Sequence, residues 1–337
     1  MKIFSRRNDD PREVWQEGSK SDDETLMIPP CDIWDTPPDK TSEVNSTPHE
    51  TSLPIASDKT PSQCWAFLGA RGGVGTTTLS VETAFHLAKN HYRQTQSSPK
   101  PGQEKVCLID LDFETGSVSH HLDIEPGLRL EDLSNEPTRI DADLTRSFIS
   151  RHKSGIAVLA APNMIGTNLK VNPHTVVAIL ESACDMFPHV ILDLPVQWQS
   201  WSLAALGGSD YVGLLSDLTI PSLHLARNKR AQIGLLLERK KSCDIILNKY
   251  ERRSFGNNLR LPDAQKALQC EIFGTVCNDA QTVHEAINCG DPVGNLRKDS
   301  RYAKDSRKLI EKIFEKTKTT LEYDMQELAA PVQLKRA

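Results

Sequence analysis

Residues 69–80, GARGGVGTTTLS, have the composition of a segment that binds phosphate. Three glycines, Gly72, Gly73 and Gly75, let the backbone fold tightly, so that consecutive N–H groups can face one anion. The segment follows an apolar run, CWAFL, and precedes VETAFHLA, whose apolar residues recur at helical spacing. The positive end of that helix would face the same anion. The pattern therefore predicts a phosphate-binding loop between a strand and a helix.

The loop departs from the ordinary phosphate-binding pattern G-x-x-x-x-G-K-[ST]. Gly75 and Thr77 match, but Ala70 stands at the first glycine and Thr76 at the lysine. Binding of an anion by backbone N–H groups does not need the lysine. Taken alone, the sequence of the loop is compatible with two interpretations: a nucleotide-binding loop and a plain tight turn.

Two further stretches place acidic residues at the ends of apolar strands. VCLIDLDFETGS carries Asp110 and Asp112 at alternate positions, and so on the same side of the chain. HVILDLP ends in Asp193 and is stopped by Pro195. Ligands of open α/β sheets bind at the carboxyl edge, where an acid can hold the water shell of a phosphate-bridging Mg²⁺. Each aspartate alone is as often a cap or turn former, but with the glycine loop they indicate one site.

The elements that must position these residues alternate along the chain. Seven short apolar runs are separated by helical stretches: CWAFL, KVCLID, IAVLAA, HVILDL, DYVGLL, CDIILN and EIFGTV. Buried strands separated by helices are typical of parallel sheets. We therefore predict an α/β fold, a doubly wound, mostly parallel sheet of about seven strands with helices on both faces.

Composition divides the 337-residue chain into unequal parts. Of its formal charge of −5, residues 1–60 contribute 13 acidic against seven basic residues, and they hold seven of the twenty prolines. We predict a disordered acidic tail over 1–60, one domain over 61–322 and a frayed C-terminal tail over 323–337. Eight cysteines without a C-x-x-C pair predict reduced thiols. No run approaches the roughly 20 apolar residues that span a bilayer, so we expect a cytoplasmic protein.

Five motifs resemble, in order and approximate spacing, those of the ParA/MinD group of deviant-Walker P-loop ATPases. They are GARGGVGTTT, VCLIDLDFETG, HVILDLP, IILNKYE and GTVCNDAQTVHEAINCGDPV, and the resemblance covers about residues 62–320. Within the group the chain is most similar to the CpaE/TadZ branch, associated with assembly and polar placement of Flp (Tad) type pili. The resemblance implies ATP and Mg²⁺ as cofactors, a homodimer, and pilus or secretion assembly proteins as partners. It also implies the bacterial cytosol, with the cell pole or the inner face of the membrane as finer locations.

The resemblance implies roles for particular residues. Thr77 and Asp193 would hold Mg²⁺, Asp112 would lie near the attacking water, and Asp110 is a candidate second acid. Asn248 matches the asparagine that recognises adenine in the wider group. The implied nucleotide-binding set is Gly72, Gly73, Val74, Gly75, Thr76, Thr77, Thr78 and Asn248.

Two departures from the group concern charge. Loss of the lysine at Thr76 removes a charge-assisted contact of roughly 1.5–3 kcal/mol, which weakens ATP binding by about one to two orders of magnitude. Slow hydrolysis or none is expected, since the lysine also neutralises charge during phosphoryl transfer. Arg71 replaces the group's signature lysine, which reaches the partner's phosphates in the dimer. Arg71 is therefore a candidate catalytic arginine finger, or else an exposed substitution in a decayed site.

Together the resemblance and these departures imply an ATP-binding dimeric switch or platform for localisation or assembly of a Flp/Tad-type pilus secretion system, with slow or absent ATP hydrolysis. Three alternatives to this switch remain. The chain would be an active MinD/ParA-type ATPase if Thr76 did not slow turnover. It would bind DNA non-specifically if its basic residues formed a surface, although a solvated helix face is the preferred reading. Those residues are Arg227, Lys229, Arg230, Arg239, Lys240, Lys241, Arg252 and Arg253. The apolar face of SRKLIEKIFEKTKTTLEY could lie on a membrane, although packing against the domain is preferred.

Overall fold

The computed structural model describes residues 62–129, 132, 140–162, 171–237, 243–251 and 259–329. The acidic tail predicted over 1–60 lies outside the described residues, as do residues 330–337.

Strands and helices alternate along the described chain as the apolar runs predict. The strands are β1 (Gln63–Gly69), β2 (Val106–Asp110), β3 (Ser150–Arg151), β4 (Ala157–Leu159), β5 (His189–Asp193), β6 (Tyr211–Ser216), β7 (Cys243–Tyr250) and β8 (Ile272–Cys277). The helices are α1 (Thr76–Gln94), α2 (Val118–Leu122), α3 (Ala142–Ser147), α4 (Pro173–Met186), α5 (Ser200–Gly208), α6 (Ile220–Leu236), α7 (Leu261–Leu268), α8 (Ala280–Asn288), α9 (Val293–Leu296) and α10 (Arg301–Ala329).

The strands form one sheet in the order β3-β4-β2-β5-β1-β6-β7-β8. Every pairing is parallel except β3 with β4, which is antiparallel at the edge. The predicted α/β sheet is confirmed, and the two-residue β3 is the strand that the apolar runs did not predict. Because β1 lies between β5 and β6, the loop after β1 stands at the centre of the carboxyl edge, with the loop after β5 beside it.

Side chains of each central strand alternate between two cores, as the two-residue period of a strand requires. On β1, Cys64, Ala66 and Leu68 pack in one core, while Trp65 and Phe67 pack in the other. The first core is closed mainly by α4, α5, α6 and α7. The second is closed mainly by α1, α2 and α10. Helices therefore cover both faces, which leaves the carboxyl edge of the sheet as the place for a ligand.

The apolar face of the last helix is buried. Leu309, Ile310 and Ile313 are at most 4% exposed and belong to the second core. The structure therefore agrees with the preferred interpretation, in which this face packs against the domain. The described backbone of α10 continues to Ala329, past residue 322, through residues such as Glu, Leu, Met and Ala that favour helices. No described helix is long and apolar enough to cross a membrane.

Two of the described basic residues considered for DNA binding, Lys229 and Arg230, are bound to backbone carbonyl groups of the domain. Lys229 turns inward, where Nζ donates to the carbonyls of Gly69 at 2.9 Å and Val196 at 2.5 Å. Arg230 Nε donates to the carbonyl of Cys243 at 3.1 Å. Arg227 is also among the described residues. The other basic residues of that set, Arg239, Lys240, Lys241, Arg252 and Arg253, lie outside the described residues.

Candidate functional site: a lysine-free phosphate loop

The loop between β1 and α1 has the shape that its glycines predict. Gly73 and Gly75 have φ of +76° and +90°, conformations in which a side chain is strained. The N–H of Ala70 donates to the carbonyl of Leu215 on β6 at 2.7 Å, which fixes the start of the loop. Helix α1 begins at Thr76, so its first N–H groups open towards the loop.

A cavity of about 430 Å³ lies against this loop, within the range usual for small-molecule sites. Beyond the predicted residues, it is lined by segments that follow β2, β5 and β8. Most of the predicted site residues line it together: Arg71, Gly72, Gly73, Gly75, Thr76, Thr77, Thr78, Asp112, Asp193 and Asn248. Val74 does not line it, because its side chain is buried in the second core.

Asp110 does not line the cavity either, and it fastens the loop after β2 instead. Its carboxylate accepts hydrogen bonds from the N–H of Asp112 at 3.1 Å and of Val118 at 3.2 Å. Burial raises the pKa of Asp110 well above its usual value, and the neighbouring Asp193, opposite it in the register of β2 and β5, raises it further. Its position indicates a turn former and helix anchor rather than an acid facing a ligand.

Asp193 lies at the end of β5 beside hydroxyl groups of the first turns of α1. Ser80 Oγ donates to its Oδ1 at 3.1 Å, and the hydroxyl of Thr77 also donates to it. Burial raises the pKa of Asp193 to about 7, although both hydroxyl groups lower it. Ser117 Oγ approaches Thr77 Oγ1 at 3.5 Å from the other side of the cavity. This donor set of carboxylate and hydroxyl oxygens fits Mg²⁺.

Asp112 faces the same cavity and is oriented locally. Its two carboxylate oxygens accept from the N–H and the hydroxyl of Thr115 at 2.9 and 2.8 Å. Thr115 also lines the cavity. These contacts hold the carboxylate with lone pairs left for a water molecule or another donor, which an acid near an attacking water requires.

Arg71 is paired within its own chain. Its guanidinium forms an ion pair with Asp217, which directly follows β6, and it also donates to the carbonyl of Gly72 at 3.1 Å. Asp217 in turn accepts from the hydroxyl of Thr219 at 2.7 Å. Asp217 was not among the predicted site residues, although an acid just after a strand at this edge was a usable signal. The Arg71 side chain is 41% exposed and so remains accessible from solvent.

Two adjacent residues of β7 reach across to the loop. Asn248 Nδ2 donates to the carbonyl of Val74 at 2.8 Å, while Asn248 Oδ1 is buried and has no hydrogen-bond partner in the described part of the chain. Lys249 Nζ donates to the carbonyl of Gly73 at 2.7 Å, and Lys249 has the unusual φ of +54°. Both residues line the cavity. Lys249 was not among the site residues predicted from the sequence.

Comparison with known proteins agrees with this architecture. A ParA family ATPase from Chlorobium tepidum superposes with a TM-score of 0.62 at 18% identity, over 74% of this chain and 98% of that one. The cell division ATPase MinD from Pyrococcus furiosus gives 0.61 at 19% identity, over 75% and 98%. MinD from Pyrococcus horikoshii, solved with Mg-ADP, gives 0.55 at 17% identity, over 75% and 96%.

These likenesses identify the fold as that of a P-loop NTPase of the ParA/MinD type. No family model matches the sequence, and no curated protein matches it either.

Proposed function

We propose that the chain is an ATP-binding switch of the ParA/MinD type that dimerises with nucleotide and hydrolyses ATP slowly or not at all. One observation carries the proposal: a glycine loop, a cluster of carboxylate and hydroxyl oxygens that suits Mg²⁺, and an asparagine with an unpartnered acceptor line one cavity, while Thr76 stands where the loop would carry its lysine. Binding groups are present, but the loop lacks the cation that stabilises charge during phosphoryl transfer.

Different residues of the site suit different parts of the nucleotide. Backbone N–H groups of residues 72–78 suit the phosphates, and the oxygens of Thr77 and Asp193 suit the Mg²⁺ that ATP carries. When bound, Mg²⁺ would neutralise phosphate charge. Asn248 has one donor engaged on the loop and Oδ1 still without a partner. An acceptor in that position suits the exocyclic amino group of adenine.

The dimer is proposed on the position of Arg71. Its side chain is partly exposed at the mouth of the phosphate loop and is held there by Asp217. An arginine so placed can exchange its own Asp217 for the phosphates bound by a second copy, as an arginine finger does. On this proposal nucleotide is held well only in the dimer. Arg71→Ala that binds ATP and dimerises as the wild type does would contradict it.

The cellular role proposed is a platform for localisation or assembly of a Flp/Tad-type pilus secretion system. It rests on the resemblance of the sequence to the CpaE/TadZ branch. The competing role, an active ATPase in positioning or partition, is not favoured by a lysine-free loop or by the inward contacts of Lys229 and Arg230.

The test is calorimetry of ATP binding with Mg²⁺, with the mass of the protein followed by light scattering. Micromolar binding that converts monomer to dimer, with steady-state turnover far below about 1 s⁻¹, supports the switch. Turnover at or above about 1 s⁻¹ would favour the active ATPase. No binding at millimolar ATP would leave a scaffold with the fold alone.

A further inference from the structure

Two consecutive residues of β7 hold the phosphate loop by its carbonyl groups. Asn248 Nδ2 and Lys249 Nζ donate to the carbonyls of Val74 and Gly73, at 2.8 and 2.7 Å. These carbonyls belong to two successive peptide groups of the loop. The contacts join chain positions more than 170 residues apart.

Peptide geometry links these carbonyls to the cavity. In a trans peptide the C=O of one residue and the N–H of the next point in opposite directions. A donor that fixes the carbonyls of Gly73 and Val74 on the β7 side therefore turns the N–H groups of Val74 and Gly75 to the opposite side. Such successive N–H groups form the anion-binding nest of a phosphate loop.

Lys249 adds charge as well as position. Its side chain is exposed, and among the described residues its ammonium forms an ion pair with no carboxylate. A cation on the carbonyl oxygen polarises the peptide, and hydrogen bonds in a chain strengthen one another. The N–H of Val74 then becomes a stronger donor. Left-handed backbone at Lys249 is uncommon for a non-glycine residue and is consistent with a functional constraint.

We propose that Lys249 is a positioning residue that compensates for the missing loop lysine. It orients and polarises the Gly73–Val74 peptide, so that the backbone binds phosphate more tightly without a cation at Thr76. This inference rests on the proposed nucleotide binding. It assigns part of that binding to a cation outside the loop, the ammonium of Lys249.

The test compares Lys249→Met and Lys249→Arg with Lys308→Met, an exposed lysine of α10 away from the cavity. Affinities for MgATP, inorganic tripolyphosphate and adenosine are measured by competition against a fluorescent ATP analogue. We expect Lys249→Met to weaken binding of ATP and tripolyphosphate by about 5- to 20-fold, less than a direct charge-assisted contact would give, because the ammonium acts on the phosphate only through the peptide group. Adenosine should bind unchanged. Lys249→Arg should recover most of the loss, and Lys308→Met should match the wild type.

A second measurement needs no ligand. The ¹⁵N–¹H resonance of Val74 in the free protein should shift in Lys249→Met more than resonances elsewhere in the loop, because its peptide loses the bond to the ammonium. An unmoved Val74 resonance, or unchanged tripolyphosphate affinity, overturns the inference. An equal loss of affinity for adenosine and for tripolyphosphate in Lys249→Met and Lys249→Arg would mean a purely structural role of Lys249. That result also overturns the inference. Failure of the wild type to bind ATP, with the Val74 shift present, would instead overturn the proposed function.

Discussion

Replacement of Gly75 by alanine tests whether the loop and β7 are fitted to each other. A Cβ on Gly75 would lie 2.4 Å from Asn248 Nδ2, far inside normal contact, and Gly75 has φ of +90°. Asn248 is 2% exposed and tied to Val74, so its amide cannot simply turn away. Gly72 is the matched control, because a Cβ there meets nothing within 4 Å.

The expected magnitude follows from these contacts. Left-handed backbone at alanine costs about 1–2 kcal/mol. Displacing Asn248 removes one hydrogen bond and leaves buried polar groups without partners, which costs about 1–3 kcal/mol more. We therefore expect Gly75→Ala to lower the free energy of unfolding by about 2–5 kcal/mol and to abolish ATP binding. Gly72→Ala should stay within about 0.5 kcal/mol of the wild type.

Urea unfolding followed by far-ultraviolet circular dichroism measures the difference, provided that the m-value is unchanged. Adding Asn248→Ala to Gly75→Ala removes the close contact, so the double variant should lose less than the sum of the two single losses. Equal stability of Gly75→Ala and Gly72→Ala, or strict additivity with Asn248→Ala, would refute a loop fitted against β7.

Three further predictions concern single side chains. Thr76→Lys should tighten ATP binding by about 10- to 100-fold in calorimetry; an unchanged affinity would mean that the lysine is not what the site lacks. Burial lowers the pKa of His189 to about 4, so the unfolded chain takes up the proton first and stability falls as pH drops from 6.5 to 4. The free energy of unfolding of His189→Gln should therefore fall by about 3 kcal/mol less than that of the wild type over this range in urea titrations, and parallel curves for the two proteins would contradict the prediction. Asp217→Asn should change stability by less than about 1 kcal/mol, since the Arg71 side chain is 41% exposed. It should also lower the protein concentration at which light scattering detects an ATP-dependent dimer, and an unchanged concentration would exclude restraint of Arg71.

The fold was predictable because its information is local. Each of the seven apolar runs became a strand, since a short apolar run bounded by turn formers fits a buried parallel strand. Strand β3 was missed because two residues carry no periodic pattern. Its pairing with β4 depends on an antiparallel return of the chain that only the folded structure supplies.

The candidate site was predictable in its residue types but not in their contacts. Glycines and strand-end acids are visible in the sequence, and most of them meet in the cavity. Whether a strand-end acid faces the ligand or the backbone depends on a turn of a few residues, which is why Asp110 binds N–H groups while Asp112 lines the cavity. The bond from Lys249 to Gly73 depends on the register of distant strands, which no local pattern encodes.

The charges around the cavity lead to one consequence for nucleotide binding. Of the cations that line it, Arg71 is paired with Asp217 and Lys249 is bound to a backbone carbonyl, while the carboxylates of Asp112 and Asp193 face the space. Asp279 lines the cavity as well, and a triphosphate brought against these carboxylates is repelled unless a cation comes with it. In a lysine-bearing loop part of that neutralisation is built into the protein. Under the proposed function, this neutralisation falls here to the Mg²⁺ that accompanies ATP and to whatever frees Arg71, which would tie nucleotide binding to the metal and to the rearrangement of that ion pair. Such dependence on additional partners suits a switch better than a catalyst with frequent turnover.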